Sequence, residues 1–115
     1  MKKGIILSLF LLCMFSALAL AEDTDMLQMQ GVVMFLDAKK NTLVINERTF
    51  VWNHETTFHN SAGASITADK LKTKGWVYIE GENDIAHKRR IAKKIYLLPK
   101  LIERKELHLY PFIKQ

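Results

Sequence analysis

From Gly31 onward the chain alternates short apolar runs, rich in Val, Ile, Leu and aromatic residues, with brief polar interruptions. That pattern predicts strands rather than long helices. Gly31–Asp37 is apolar on both faces and predicts a first strand, Asp37–Asn41 a turn, and Thr42–Ile45 a second strand. Asn46-Glu47 predicts a tight reversal, because Asn tolerates positive φ, and leads into a third strand over residues 48–52. Two successive hairpins give a three-stranded meander. Residues 60–65 read as a loop by composition, and Ile66–Lys72 as one short helix with Thr67 as its cap and Gly75 near its end. Residues 75–82 alternate, sending Val77 and Ile79 to a core and Trp76, Tyr78 and Glu80 to the other face. Asn83-Asp84 predicts a turn, and residues 91–98 a last strand before Pro99. Ala92 and Ile95 both belong inside yet have opposite parity, so a bulge is expected near Lys93-Lys94. The expected interior is Val33, Leu43, Val51, Val77, Ile79 and Ile95.

Three strands, a short helix and two strands are the element order of an OB-fold. The expected class is therefore all-β: a small five-stranded OB-fold-like barrel with one short helix between strands 3 and 4. Closing the sheet suits a chain whose flat edges would otherwise expose Val and Ile. Gly31-x-Val33, Asn41-Thr42-Leu43, Thr57, Leu71-x-x-x-Gly75-x-Val77-x-Ile79-x-Gly81 and Ala92-x-x-Ile95 resemble a group of exported bacterial OB-like domains of unknown function. The likeness covers about Gly31 to Leu98 and rests on turns and core positions, so it implies a fold and no catalytic residue. A weaker resemblance is to the periplasmic copper-binding OB-fold protein of copper efflux systems, which implies Cu(I) held by His, a Met-x-Met pair and a capping Trp. Trp52 fits the Trp position. The Met-x-Met slot reads Glu55-Thr56-Thr57 and the His slot Asn46, so the soft ligands Cu(I) needs are missing.

The ends of the chain set its expected address. Lys2 and Lys3 precede an apolar stretch, and Ala19-Leu20-Ala21 offers the small-x-small pattern of signal-peptide cleavage, so residues 1–21 are expected to be removed on export. The expected location is periplasmic or extracellular. Leu12 precedes Cys13 where a lipoprotein signal needs a small residue, which argues against lipidation. Cys13 is the only cysteine, so the processed chain has neither disulfide nor thiolate nucleophile and must be held by its core. Residues 22–28 are expected to form a flexible leader, residues 29–99 the OB-fold-like domain, and residues 100–115 a C-terminal tail.

Charge changes this picture more by its placement than by its sum. The net formal charge is +5, but Lys70–Lys105 carries eleven lysines and arginines against Glu80, Glu82, Asp84 and Glu103. Such a skew suits an anionic envelope component or an acidic protein partner; nucleic acid ranks below both for an exported chain. The expected ligand-binding residues are the basic Lys88, Arg89, Arg90, Lys93 and Lys94 with the aromatic Trp76, Tyr78 and Tyr96, which together would neutralise charge and stack on rings. The rival arrangement covers those rings with Leu107, Leu109, Tyr110 and Phe112 of the tail as a second minor core.

Other candidate chemistry is thin. His54 and His59 are five residues apart, which puts them on opposite faces of a strand. Met26, Met29 and Met34 could join either His in a labile copper site. Glu80 and Glu82 are the one close carboxylate pair, with no companions for a pocket. No nucleophile triad, phosphate-cradling glycine loop or dinucleotide fingerprint is present. The expected function is a noncatalytic binding module without catalytic residues, cofactor or metal site. A periplasmic copper or zinc carrier and a small envelope enzyme are the alternatives.

Overall fold

The computed structural model describes residues 24–114, so the expected signal segment, residues 1–21, lies outside the described residues. The chain is all-β: β1 (Thr24–Asp37), β2 (Thr42–Ile45), β3 (Arg48–Val51), β4 (Thr57–His59), β5 (Ser65–Ile66), β6 (Trp76–Asp84) and β7 (Arg89–Leu98) form one sheet, with two 3-10 turns at Ala68–Lys70 and Arg104–Leu109. The order is β3-β2-β1-β6-β7-β4-β5, and β3 also pairs with β7. The β3–β7 and β4–β7 pairings are parallel and the others antiparallel.

Seven strands replace the five expected. The additional two are β4 and β5, short pieces in the stretch between β3 and β6. Thr57, Phe58 and His59 follow β7 residue by residue opposite Lys94, Ile95 and Tyr96, which buries Phe58. The expected helix over 66–72 is a single 3-10 turn closed by Lys70 N–H to the Thr67 carbonyl and Leu71 N–H to the Ala68 carbonyl. Ile66 pairs in β5 and Leu71 is committed to the core, leaving too few residues between them to propagate a helix.

Local chemistry fixes the meander. Asn46 and Glu47 both have positive φ, 48° and 62°, as a two-residue turn between twisted strands needs. The Asn46 amide donates to the Gln30 carbonyl at 3.0 Å. This turn places Leu43 opposite Phe50 and Thr42 opposite Val51. Opposite residues share a face, so Phe50 enters the core and Val51, expected there, stays partly exposed.

Two bulges bend the long strands. Between β6 and β7, Glu80 faces Lys94 while Gly81 faces Ala92, leaving Lys93 as the extra residue within the predicted region. Ala92 and Ile95 are thereby both fully buried. In β1, Val33 faces Ile45 while Phe35 faces Val44, so Met34 is extra. Val33 and Leu36 consequently both reach the core, while Met34 and Phe35 are exposed. β1 begins at Thr24 and pairs with β6 from the Thr24–Asp84 partners onward, so residues 24–28, expected in a leader, are strand. Leu27 and Met29 continue the two-residue period and pack on the core.

The main core joins Val33, Leu43, Ile45, Phe50, Val77, Ile79, Ala92 and Ile95, with Phe58 and Leu71 at its margin. A second core lies across the β6–β7 sheet: Tyr78, Tyr96 and Leu98 are buried under Ile102 and Ile113 of the tail, with Trp76, Leu107, Tyr110 and Phe112 packed around them. Phe112 stacks flat on Tyr96, centroids 4.0 Å apart. Gln30 ties the tail down, donating to the Ile102 carbonyl at 3.0 Å and accepting from the Ile102 N–H at 2.8 Å.

Candidate functional site

The expected basic and aromatic residues do not form one open surface. Tyr78 and Tyr96 are cross-strand partners, but both are buried beneath the tail, and Trp76 is partly covered beside them. Burial pushes the Tyr78 hydroxyl pKa up to about 12, assisted by the nearby Glu80 charge although the Lys114 N–H opposes it. Tyr78 donates to Glu80 Oε2 at 3.2 Å and accepts from the Lys114 N–H at 3.1 Å. Burial likewise raises the Tyr96 pKa. These rings hold the tail, so the stacking role expected of them is taken up by packing.

Lys88, Arg89 and Arg90 lie at the turn end of the β6–β7 hairpin, while Lys93 and Lys94 sit at the bulge between them and the tyrosines. Arg89 and Tyr96 are seven residues apart on one strand, roughly 20 Å. Arg89 reaches Asp84 at 3.4 Å and Lys93 reaches Glu82 at 3.2 Å. Burial works against the Asp84 charge, but hydrogen bonds from His87 and Arg89 hold its carboxyl below the usual range. Lys88, Arg90 and Lys94 form no ion pair among the described residues. Two of the five anticipated cations are thus matched locally.

The residues considered for metal or acid chemistry are separated. His59 stacks on Tyr96 at 4.5 Å, and its ring nitrogens meet Thr57 Oγ1 at 2.9 Å and the Gly63 carbonyl at 3.2 Å. His54 is exposed on the preceding turn, and Met26 and Met34 are exposed on β1. Among the described residues no three His, Cys, Asp or Glu side chains group to hold a metal ion. Glu80 is buried against Tyr78, while Glu82 pairs with Lys93.

A concave site lies elsewhere. Leu36 at the end of β1, Ala38 and Asn41 on the β1–β2 connection, Trp52 just after β3, and Ala68, Asp69 and Leu71 around the first 3-10 turn line a cleft of about 400 Å³. That is within the size range of small-molecule sites. Five of the seven lining residues are apolar, and Leu36, Trp52 and Ala68 also pack against the main core. Trp52 is fixed at both ends: its N–H donates to the Asn41 carbonyl at 2.9 Å, and its ring meets Phe58 edge-on at 5.8 Å. Asp37 Oδ1 accepts from the Lys39 and Lys40 N–H groups and shapes the turn that forms one lip.

The segments that supply the lining are rich in lysine. Residues 36–41 contain Lys39 and Lys40, and residues 67–74 contain Lys70, Lys72 and Lys74, against Asp37 and Asp69 alone. All five lysines are exposed and none is in an ion pair among the described residues. The Asp69 carboxyl is held below its usual pKa first by the Thr67 hydroxyl, burial opposing, with the Lys70 and Lys72 charges assisting. Sequence reasoning singled out Trp52 but missed this site. Its signal was the placement of lysines on both sides of small and apolar residues, at positions some thirty residues apart that only the fold unites.

Comparison with known proteins finds no matching family model, no similar curated protein and no similar solved structure. Among the described residues no helix is long and apolar enough to cross a membrane.

Proposed function

We propose that this chain is an exported, noncatalytic binding module with an OB-fold-like barrel, and that it engages an anionic component of the cell envelope. The strand pairing supports the barrel reading: β1, β2 and β3 form a meander, β6 and β7 follow on the other side of β1, and β3 returns in parallel to β7. In that reading those five strands make the barrel, and β4 and β5 are additions along β7. Export rests on the signal pattern of residues 1–21.

One observation carries the binding role: an apolar cleft of about 400 Å³ whose lining segments, residues 36–41 and 67–74, also carry five exposed lysines that form no ion pair among the described residues. Cations left unmatched beside a recess favour a negatively charged ligand and steer its approach. The cleft, rather than the β6–β7 hairpin, is the proposed site. The test is salt-titrated binding to phosphatidylglycerol vesicles, to phosphatidylcholine vesicles and to lipopolysaccharide. Binding to an anionic surface that weakens with salt is expected, and a Lys39→Glu/Lys40→Glu/Lys70→Glu/Lys72→Glu variant should lose it. Absence of binding to any anionic surface at low salt would refute the proposal.

A further inference from the structure

Resting on that reading, we infer that the cleft receives a single-chain anionic amphiphile, a long-chain carboxylate whose alkyl tail lies against Leu36, Trp52, Ala68 and Leu71 and whose head meets the lysines of the two lips. The lining has two chemical parts, and each excludes a class of ligand. Its apolar floor is continuous with the main core, so water there leaves Leu36 and the Trp52 ring in contact with solvent that an alkyl chain would displace. A purely polar anion, such as a glycan, would fill none of that floor. A purely apolar molecule would leave Lys39, Lys40, Lys70 and Lys72 without a counter-charge. An ammonium-headed amphiphile would meet a lip with five lysines and two carboxylates, one of which, Asp69, is already hydrogen-bonded to Thr67.

Lysine suits this arrangement. Its stem covers apolar surface while its ammonium stays in water, so the lips can close over an alkyl chain and still reach the head. Asp69 is the one charge lining the cleft and has the sign that repels the proposed head. It therefore serves as an internal gauge: removing its charge should help an anionic ligand and harm a cationic one.

The experiment is a calorimetric titration of the protein with octanoate, decanoate and dodecanoate below their micelle-forming concentrations, set against alkyltrimethylammonium ions of the same chain lengths. Affinity for the carboxylates should rise about fourfold for each added methylene, and each ammonium ion should bind about tenfold more weakly than its carboxylate. Lys39→Glu/Lys40→Glu and Lys70→Glu/Lys72→Glu should each weaken carboxylate binding severalfold. These side chains are exposed, so unchanged circular dichroism is expected. Asp69→Asn should strengthen binding about twofold. A flat response to chain length, equal affinity for the two head groups, or weaker binding after Asp69→Asn would overturn the inference. Binding to phosphatidylglycerol vesicles with no response to any carboxylate would overturn the amphiphile and leave the anionic module standing; failure of both would remove both.

Discussion

Gly81 shows how a single position carries the bend in the sheet. It sits where β7 inserts Lys93, and a Cβ there would run into the Ile91 carbonyl and the Ala92 backbone, neither of which is a flexible side-chain end. Gly81→Ala is therefore expected to destabilise the fold by about 1–3 kcal/mol, measured by urea unfolding. Tyr78 makes a second prediction. Its pKa is raised from 10.0 to about 12 in the folded chain. The proton-linked stability is fully present below pH 10 and is lost as pH rises through about 12. Phenolate absorbance should report Tyr78 ionising together with release of the tail; ionisation at the ordinary tyrosine value with the tail still docked would contradict this placement. At this scale much was legible. Asn46-Glu47 announced its turn, and the opposed parity of Ala92 and Ile95 announced the bulge. Val33 and Leu36 are likewise of opposite parity, which marks the bulge at Met34, but a run apolar on both faces does not show which residues belong inside. Phe50 rather than Val51 faces the core because a two-residue turn pairs Leu43 with Phe50, a consequence of turn length that propensity does not reveal.

Among the elements, the tail resisted sequence reading most. Leu101, Ile102, Leu107 and Leu109 fit neither strand nor helix period, because residues 104–109 are a 3-10 turn and the segment packs through scattered contacts. Ile102 and Ile113 are buried, while Leu101 and Leu109 are exposed. The reciprocal Glu103–Glu106 capping box and the Lys100–Glu106 ion pair at 2.8 Å hold the turn's start. The Lys100 side-chain hydrogen bond lowers the Glu106 pKa, burial opposing. Most of the tail's contribution should come from covering the Tyr78–Tyr96 pair. Ile102→Ala is expected to destabilise the chain by about 2–5 kcal/mol and to make Tyr78 titrate nearer pH 10. An unchanged Tyr78 titration would show that the tail does not shield it. The short helix failed as an expectation for a related reason: Leu71 is drawn into the core, and one 3-10 turn is what remains.

For the whole molecule, the strands and much of the core were readable because alternation and turn residues act locally. The cleft was not, because it is made by three segments, residues 36–41, Trp52 and residues 68–71, which adjoin only after the sheet has formed. The basic run at 88–94 drew attention by its density in sequence, yet two of its five cations are paired to Asp84 and Glu82. The lysines on the cleft's segments are sparser in sequence and form no ion pair among the described residues. The central claim is therefore one of location, and amide chemical-shift mapping tests it most directly. The protein would be titrated at low salt with dihexanoylphosphatidylglycerol below its micelle-forming concentration. The account predicts saturable shifts concentrated at Leu36–Asn41, Trp52 and Ala68–Leu71, diminishing as salt is added. No shifts, or shifts confined to Lys88–Tyr96, would contradict it.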